Sequence, residues 1–370
     1  MDIKHYKIAD LKNELDSDLF WESDNMPITK HRALSFINNP RADKNDIILI
    51  VAFEFNKTVG YIGIVPDIIY LNDNEYKIGV LSTWWVNPTC LKLGIGKKLL
   101  FCALSCYDGK LYLSGYTKVA ESIYKKTNLF HLINIFSGIT INKRFSFNDY
   151  YSRSILKIIT PTRFKKIITN IINKNLIKKQ KHWIYENENI IKNIRFEYVD
   201  KFDLHAEEFI QQHNKNELFR RDFQVLNWII DYPWVLETPL NDGYYDKYYF
   251  SSVARKFNFI NILIYDLNNK LVGILLLKQR DSHLTIPYIY YEDDYFITIT
   301  KLLVLHIFQL DIMTISIFNY ELINQLKSLK SPLYIMKSKN NNKPLISNQF
   351  KSFDLSNYIL QDGDGDLVFT

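Results

Sequence analysis

Apolar positions along the chain change period repeatedly, and each change marks an element. Residues 3–8 predict a short strand, and residues 10–39 one or two helices interrupted near Met26-Pro27. Residues 47–55 are a nearly continuous apolar, β-branched run. Asn56-Lys57-Thr58-Val59-Gly60 then predicts a hairpin turn, with residues 61–65 as the partner strand. Residues 76–86 continue the antiparallel sheet until Asn87-Pro88 stops it. Gly94-Ile95-Gly96 opens a helix running through Leu99, Leu100, Phe101 and Leu104. Asp108-Gly109 turns the chain into a strand at 110–116. A helix follows at 118–128, and residues 129–141 return as strand.

The second half contains an echo of the first. In residues 257–277, Asn269-Lys270-Leu271-Val272-Gly273 joins two apolar runs just as Asn56-Lys57-Thr58-Val59-Gly60 does, which points to an internal duplication of the fold. The helix expected at 295–310 has no Gly-x-Gly at its start. Glu292-Asp293-Asp294 before it would repel a diphosphate, so this half is read as holding no such site. Near the C-terminus, Asp362-Gly363-Asp364-Gly365-Asp366 lacks the later glutamate of a calcium loop and predicts a tight turn before a last strand.

Between the halves, residues 150–185 contain no Asp or Glu and nine Lys or Arg. With +9 here and +6 overall, the remaining chain sums to −3. Phe164, Ile167, Ile168, Ile171, Ile172 and Leu176 fall at helical spacing, with Pro161 at the helix start. A linker helix between two domains is the favoured reading, ahead of a membrane-surface helix. A nucleic-acid contact ranks last because few aromatics are interleaved, and no nucleic-acid partner is expected. At 370 residues the chain is long enough for two cores. The division drawn is 1–147, a basic linker at 148–190, and 191–370.

Met1-Asp2-Ile3-Lys4-His5 holds no signal-peptide apolar region, and the run at 47–53 is too short to span a bilayer. The expectation is a soluble, cytoplasmic protein with no membrane span. Three cysteines form no disulfide framework. Cys102 and Cys106, four apart on one helix face, read as core, and Cys90 sits in the preceding loop. No metal site is expected.

Local chemistry singles out the loop at 87–98. Glycines let a ligand approach the backbone, and the first N–H groups of the helix lack internal partners. The helix dipole adds partial positive charge there, so the loop suits phosphate. Val86-x-Pro88-x-x-Leu91-x-x-Gly94-x-Gly96 with Leu99-Leu100 resembles the acyl-CoA-binding motif of the GNAT (Gcn5-related) N-acetyltransferase superfamily. That motif usually begins with Arg or Gln where this chain has Leu91. Ala120 to Leu129, with Tyr124 and Lys126, resembles the family's second motif. There Asn128 replaces a glycine, and Asn tolerates the left-handed conformation that ends a helix. Residues 220–234 resemble a segment common in two-lobed relatives.

The resemblance implies an α+β fold of two GNAT-like lobes, each a mixed, largely antiparallel sheet flanked by helices, the second lobe degenerate. It implies acetyl-CoA, or another short acyl-CoA, as donor substrate, held by Trp84, Trp85, Val86, Lys92, Leu93, Gly94, Ile95, Gly96, Lys97 and Lys98. The backbone of Trp85 or Val86 would donate to the thioester oxygen, and Tyr124 would act as general acid. Ser82 is grouped with Trp85 and Tyr124 as catalytic. Thr83, Ser114 and Tyr116 are near the expected cleft but are weak bases, and His131 reads as structural; no base is named. Phe20, Trp21, Glu22 and Asp24 are candidate acceptor contacts. The reaction expected is acyl transfer to a primary amine on a small molecule, an amino-sugar nucleotide for surface polysaccharide synthesis. Two alternatives are a FemABX-like tRNA-dependent aminoacyl transferase and a non-catalytic GNAT-fold binding protein.

Overall fold

The computed structural model of the chain describes residues 1–15, 25–147, 160–238 and 245–369. The strands are β1 (Asp2–Lys7), β2 (Ile47–Glu54), β3 (Lys57–Leu71), β4 (Asn74–Val86), β5 (Leu111–Leu113), β6 (Phe130–Leu132), β7 (Phe136–Asn142), β8 (Arg195–Val199), the short pair β9 (Leu236–Glu237) and β10 (Val253–Ala254), β11 (Phe257–Tyr265), β12 (Leu271–Arg280), β13 (His283–Tyr291), β14 (Thr314–Ile317), β15 (Tyr334–Asn342) and β16 (Leu345–Ser347). The helices are α1 (Ile8–Glu14), α2 (Lys30–Ile37), α3 (Ile95–Cys106), α4 (Lys118–Thr127), α5 (Thr162–Glu186), α6 (Glu188–Asn193), α7 (Leu204–His213), α8 (Phe223–Asp231), α9 (Phe296–Gln309) and α10 (Tyr320–Ser328). They build two mixed sheets flanked by helices, in two compact units. One unit comprises Met1–Ile135, Asp200–Phe259 and Asn342–Thr370, the other Phe136–Val199 and Ile260–Asn341. The sequence division at 147 and 190 cuts the linear chain, whereas each unit is assembled from separated segments.

In the first unit the sheet order is β1-β2-β3-β4-β5-β16-β6. Alternation builds its core. Gly60, Ile62 and Ile64 of β3 face α3, which buries Ile95, Leu99, Leu100 and Ala103 along one side. The turn between β2 and β3 needs two residues at positive φ, supplied by Phe55 and Asn56 (φ 49° and 60°). The single strand expected at 129–141 is in fact two. β6 stays in the first sheet, while β7 joins the second, where Ile139 and Ile141 enter the core. The vacant edge is taken by β16, whose Leu345 and Ile346 pair with both β5 and β6. The strand expected at 110–116 shortens to β5 because β16 reaches it only at Leu345 and Ile346.

In the second unit the order is β15-β7-β14-β13-β12-β11-β8. The succession hairpin, third strand, 3-10 turn, helix, parallel strand occurs here as in the first unit. Gly60 lies under Ile95 and Leu99 of α3, and Gly273 lies under Ile299 of α9; a Cβ at either would meet those side chains at 3.0 and 2.5 Å. The repeated Asn-Lys-x-Val-Gly therefore has a packing reason at its final residue. The basic helix α5 belongs to this unit. It buries Leu176, Gln180 and Trp183, and Gln180 donates to the carbonyls of Lys143 and Pro332. Phe164, Ile167, Ile168 and Ile171 of its first turns are exposed.

The three segments of the first unit meet at a buried ionic quartet. Asp67 of β3 accepts from Arg41 (2.6 Å) and from Arg221 (2.9 Å), and Arg221 Nε lies 3.4 Å from Asp364. Burial alone would raise the Asp67 carboxyl, but Arg221 and Arg41 hold it below the ordinary carboxylate value. Burial pushes Asp364 up to about 7 despite Arg221. The C-terminal tail follows this anchor. After the turn at 362–366 it forms a 3-10 turn, Leu367–Phe369, and not the expected strand, because Phe369 stacks on Trp234 at 4.3 Å. Asp67→Asn leaves two buried guanidiniums short of a counter-charge. It is expected to cost about 3–5 kcal/mol in the urea-unfolding free energy, whereas Asp231→Asn, at an exposed pair with Lys201, is expected to leave the midpoint unchanged.

Candidate functional site

The site grows out of an irregularity in the β3–β4 ladder. Gly60 to Ile62 pair with Val86 to Trp84, and Ile64 pairs with Leu81, so Ser82 and Thr83 together oppose Gly63. This is a β-bulge, and it requires glycine on the partner strand: a Cβ on Gly63 would lie 2.8 Å from Thr83 Oγ1 and 2.9 Å from Ser82 Oγ. The extra residue reverses which N–H groups face which neighbour. Gly79 N–H donates to Lys110 on the β5 side, while Asn87 N–H donates to Val59 on the β3 side. Beyond the bulge, odd residues therefore face β3, and Trp84 and Val86 turn their N–H groups away from it. Trp85 directs its own N–H to β3.

On that free side, β4 pairs with β5 only at Gly79↔Leu111 and Val80↔Tyr112. From Leu81 onward no strand pairing continues there among the described residues, and the strands diverge. The amides of Trp84 and Val86 face this gap.

The chain then passes through a 3-10 turn, Pro88–Leu93, capped by Asn87, into α3. Gly94 sits at φ 69°, the left-handed region that favours glycine, and has no side chain with which to cap the helix. The amides of Ile95, Gly96 and Lys97 precede the first intrahelical bond, which Lys98 makes to Gly94. Nothing lies within 4 Å of a Cβ built on Gly94, so the backbone there is open to approach. Gly96 has a different reason: its Cβ would meet Trp84 Cζ2 at 3.2 Å, so it allows α3 to close on β4. Gly94, Lys97, Lys98, Ile3, Phe101 and Cys102 line a depression of about 530 Å3 beside the helix start. Lys97 and Lys98 are exposed there, as are Leu91 and Leu93 of the loop. The Lys92 side chain lies outside the described residues, as do Phe20, Trp21, Glu22 and Asp24.

Tyr124 is carried by α4, which ends as expected with Asn128 in the left-handed region (φ 51°). Its ring packs against Trp84, Tyr116 and Phe130 at 5.3 to 5.7 Å. Burial raises its hydroxyl pKa, and the Asp366 carboxylate and Tyr116 add to the rise, so it stays protonated. Ser114, at the end of β5, donates to Asp366, whose N–H returns a bond to Ser114 Oγ at 3.3 Å. Tyr116 donates to the Lys343 carbonyl (2.7 Å), and His131 bonds Asn348.

On the opposite face of β4 lie Ser82, Thr83 and Trp85. Trp85 stacks on Tyr61 at 5.3 Å, and Tyr248, Tyr249 and Phe250 extend the aromatic wall. Among the described residues, Ser82 Oγ is buried without a hydrogen-bond partner, as is Trp84 Nε1. The structure thus brings Tyr124, Trp84, Val86 and the residues at 94–98 to one face, and puts the side chains of Ser82 and Trp85 on the other. Asp366, which sequence reasoning passed over as part of a turn, influences both Tyr124 and Tyr248 electrostatically. Its only sequence signal was an acidic residue near the C-terminus; placing it needed the pairing of Ser114 with a residue 252 positions away.

Cys106 is pushed up to about 11 by burial, with Cys102 adding to the rise, so neither cysteine of α3 is an activated nucleophile. Among the described residues, no grouping of three metal-ligating side chains occurs and no helix is long and apolar enough to cross a membrane.

No family model matches the chain, and no curated protein is similar to it in sequence. Solved structures are similar in fold. A conserved protein of unknown function and probable N-acyltransferase from Enterococcus faecalis V583 aligns with TM-score 0.50 and 10% identity, over 93% of this chain and 72% of that one. A GCN5-related N-acetyltransferase from Anabaena variabilis gives 0.49 and 12%, over 93% and 72%. Eis1 from Mycobacterium abscessus gives 0.48 and 12%, over 95% and 75%. The first likeness is one of fold, mixed sheets flanked by helices; the two lower scores add nothing to it.

Beside the aromatic wall, His31 bonds the Trp234 carbonyl (2.8 Å), and burial lowers its pKa to about 4, with Arg32 contributing. The unfolded chain protonates His31 near 6.5 and the folded one only near 4, so stability falls as pH drops through that window. The unfolding free energy should decrease by about 2 kcal/mol between pH 7 and 5 from this group. His31→Gln should remove that share of the slope in urea titrations at the two pH values.

Proposed function

We propose that the chain is a GNAT-superfamily N-acyltransferase that moves an acetyl or short acyl group from acyl-CoA to a primary amine, with an amino-sugar nucleotide for surface polysaccharide synthesis as the acceptor. The observation that carries this reading is the unpaired edge of β4. Two outward amides, Trp84 and Val86, face the gap beside β4, and the amides of Ile95, Gly96 and Lys97 precede the first intrahelical bond of α3. The first pair suits a carbonyl oxygen that gains charge, and the second set suits a diphosphate. The open backbone at Gly94 fits the close approach such a group needs.

Acyl-CoA supplies an activated thioester. The chain's own part is positional and electrostatic. Val86 and Trp84 N–H would hold the oxyanion, and Val86 is one of the two donors the sequence suggested; Trp85 instead builds the opposite wall. Tyr124, kept protonated by burial, donates a hydrogen bond to the departing sulfur. Asp366, fixed by Ser114, takes the proton from the attacking amine, a role for which the sequence offered no candidate. The second unit is read as a duplicated lobe without a CoA site. At the place corresponding to Val86 stands Tyr291, paired with Gly273 as Val86 is with Gly60, and its ring stacks on Phe296 at 4.2 Å. Glu292, Asp293 and Asp294 follow it.

Calorimetric titration should give micromolar acetyl-CoA binding that Gly96→Trp abolishes, by crowding Trp84 and displacing the first turn of α3. Tyr124→Phe and Asp366→Asn should each lower kcat roughly a hundredfold in a free-thiol release assay. Absence of acetyl-CoA binding to the wild-type chain overturns the reading, and full turnover by Tyr124→Phe removes that residue's role.

A further inference from the structure

Arg32, on α2, is 4% exposed. Its guanidinium lies 3.6 Å from the Trp234 ring centroid, and Nη1 donates to the Tyr248 hydroxyl at 3.3 Å. Among the described residues, Nε and Nη2 have no hydrogen-bond partner, and no ion pair to this residue occurs. A buried guanidinium without a counter-charge is costly, and stacking on an indole offsets only part of that cost. The two unused nitrogens form one edge of the planar fork, the edge that matches both oxygens of a carboxylate.

Tyr248 places this edge relative to the chemistry. Its hydroxyl receives Arg32 and bonds Thr83 in the β4 bulge, and its ionisation is also opposed by the Asp366 carboxylate. The Tyr248 hydroxyl thus takes a hydrogen bond from a cation and feels the field of an anion, and its ring stacks with Tyr61 and packs against Phe250 on the face of β4 where Tyr61 also stacks on Trp85.

We infer that Arg32 binds a carboxylate of the acceptor, so that the substrate is an amine bearing a carboxylate, its anionic end at Arg32 and its amine toward Asp366. A single guanidinium in an aromatic setting neutralises a monoanion, whereas a phosphate dianion would leave buried negative charge. This rests on the acyltransferase reading and narrows its acceptor.

The test uses the full chain with acetyl-CoA and acceptors matched except at the anion: 2-amino-2-deoxyglucuronic acid, glucosamine and glucosamine 6-phosphate, and in parallel glutamate and its diamide. Thiol release should favour the carboxylate member of each set by about ten- to a hundredfold in kcat/KM, chiefly through KM. Arg32→Lys and Tyr248→Phe should each shrink that preference, Arg32→Lys more. Equal rates across each set, or preference for the phosphate, overturn the inference even if the variants fail to fold, because the comparison is made on the wild-type chain. Loss of acetyl-CoA binding by the wild-type chain instead defeats the underlying acyltransferase reading. Intact acetyl-CoA binding without carboxylate dependence defeats this inference alone.

Discussion

One residue too many in β4 reverses the hydrogen-bonding side of the strand between Leu81 and Val86, and the candidate site depends on that reversal. Without the bulge at Ser82 and Thr83, Trp85 would turn its amide to the open edge, and Trp84 would present its indole to the wrong face. With it, Trp84 and Val86 turn their amides to the gap and their side chains to α3, where Gly96 leaves room for them. Gly63 makes the bulge possible, since any side chain there would collide with both bulge hydroxyls. A bulge of this kind aims backbone groups that regular pairing would consume.

The divergence of β4 from β5 has a second support. β5 is only three residues long, and its other edge is occupied by β16, which arrives from the far end of the chain. The quartet of Arg41, Asp67, Arg221 and Asp364 fixes the same C-terminal segment to β3. Asp366 is therefore held between an ionic anchor two residues before it and the stack of Phe369 on Trp234 three residues after it. Its bond with Ser114 inherits that rigidity. Asp366, proposed above to take the proton, is positioned by three separate segments of one unit.

The second unit repeats the same frame with different residues at its turns. Gly273 packs beneath α9 as Gly60 packs beneath α3, so the hairpin and its helix keep their geometry. Tyr291 and Phe296 stack at the start of α9, and α9 is buried on nearly all sides. Shared topology conserves the packing and leaves the ligand chemistry free to differ.

What the sequence by itself determined is local. Alternating and helical periodicity placed the hairpins, α3 and α4; Asn128 at the end of α4 and the Gly94-x-Gly96 loop followed from backbone preferences that a few residues set. Even the glycine of the repeated Asn-Lys-x-Val-Gly was visible, although its packing reason was not. Only the tertiary structure decided which strand completes which sheet, because β7 and β16 carry no local mark of their partners. It also decided which amides point into the gap, since a one-residue register shift is set by the facing strand. The pairing of Asp366 with Ser114 and the stacking of Arg32 on Trp234 depend on contacts across about two hundred residues or more of chain. Charge and burial at those distances are properties of the assembled fold, and no window of sequence contains them.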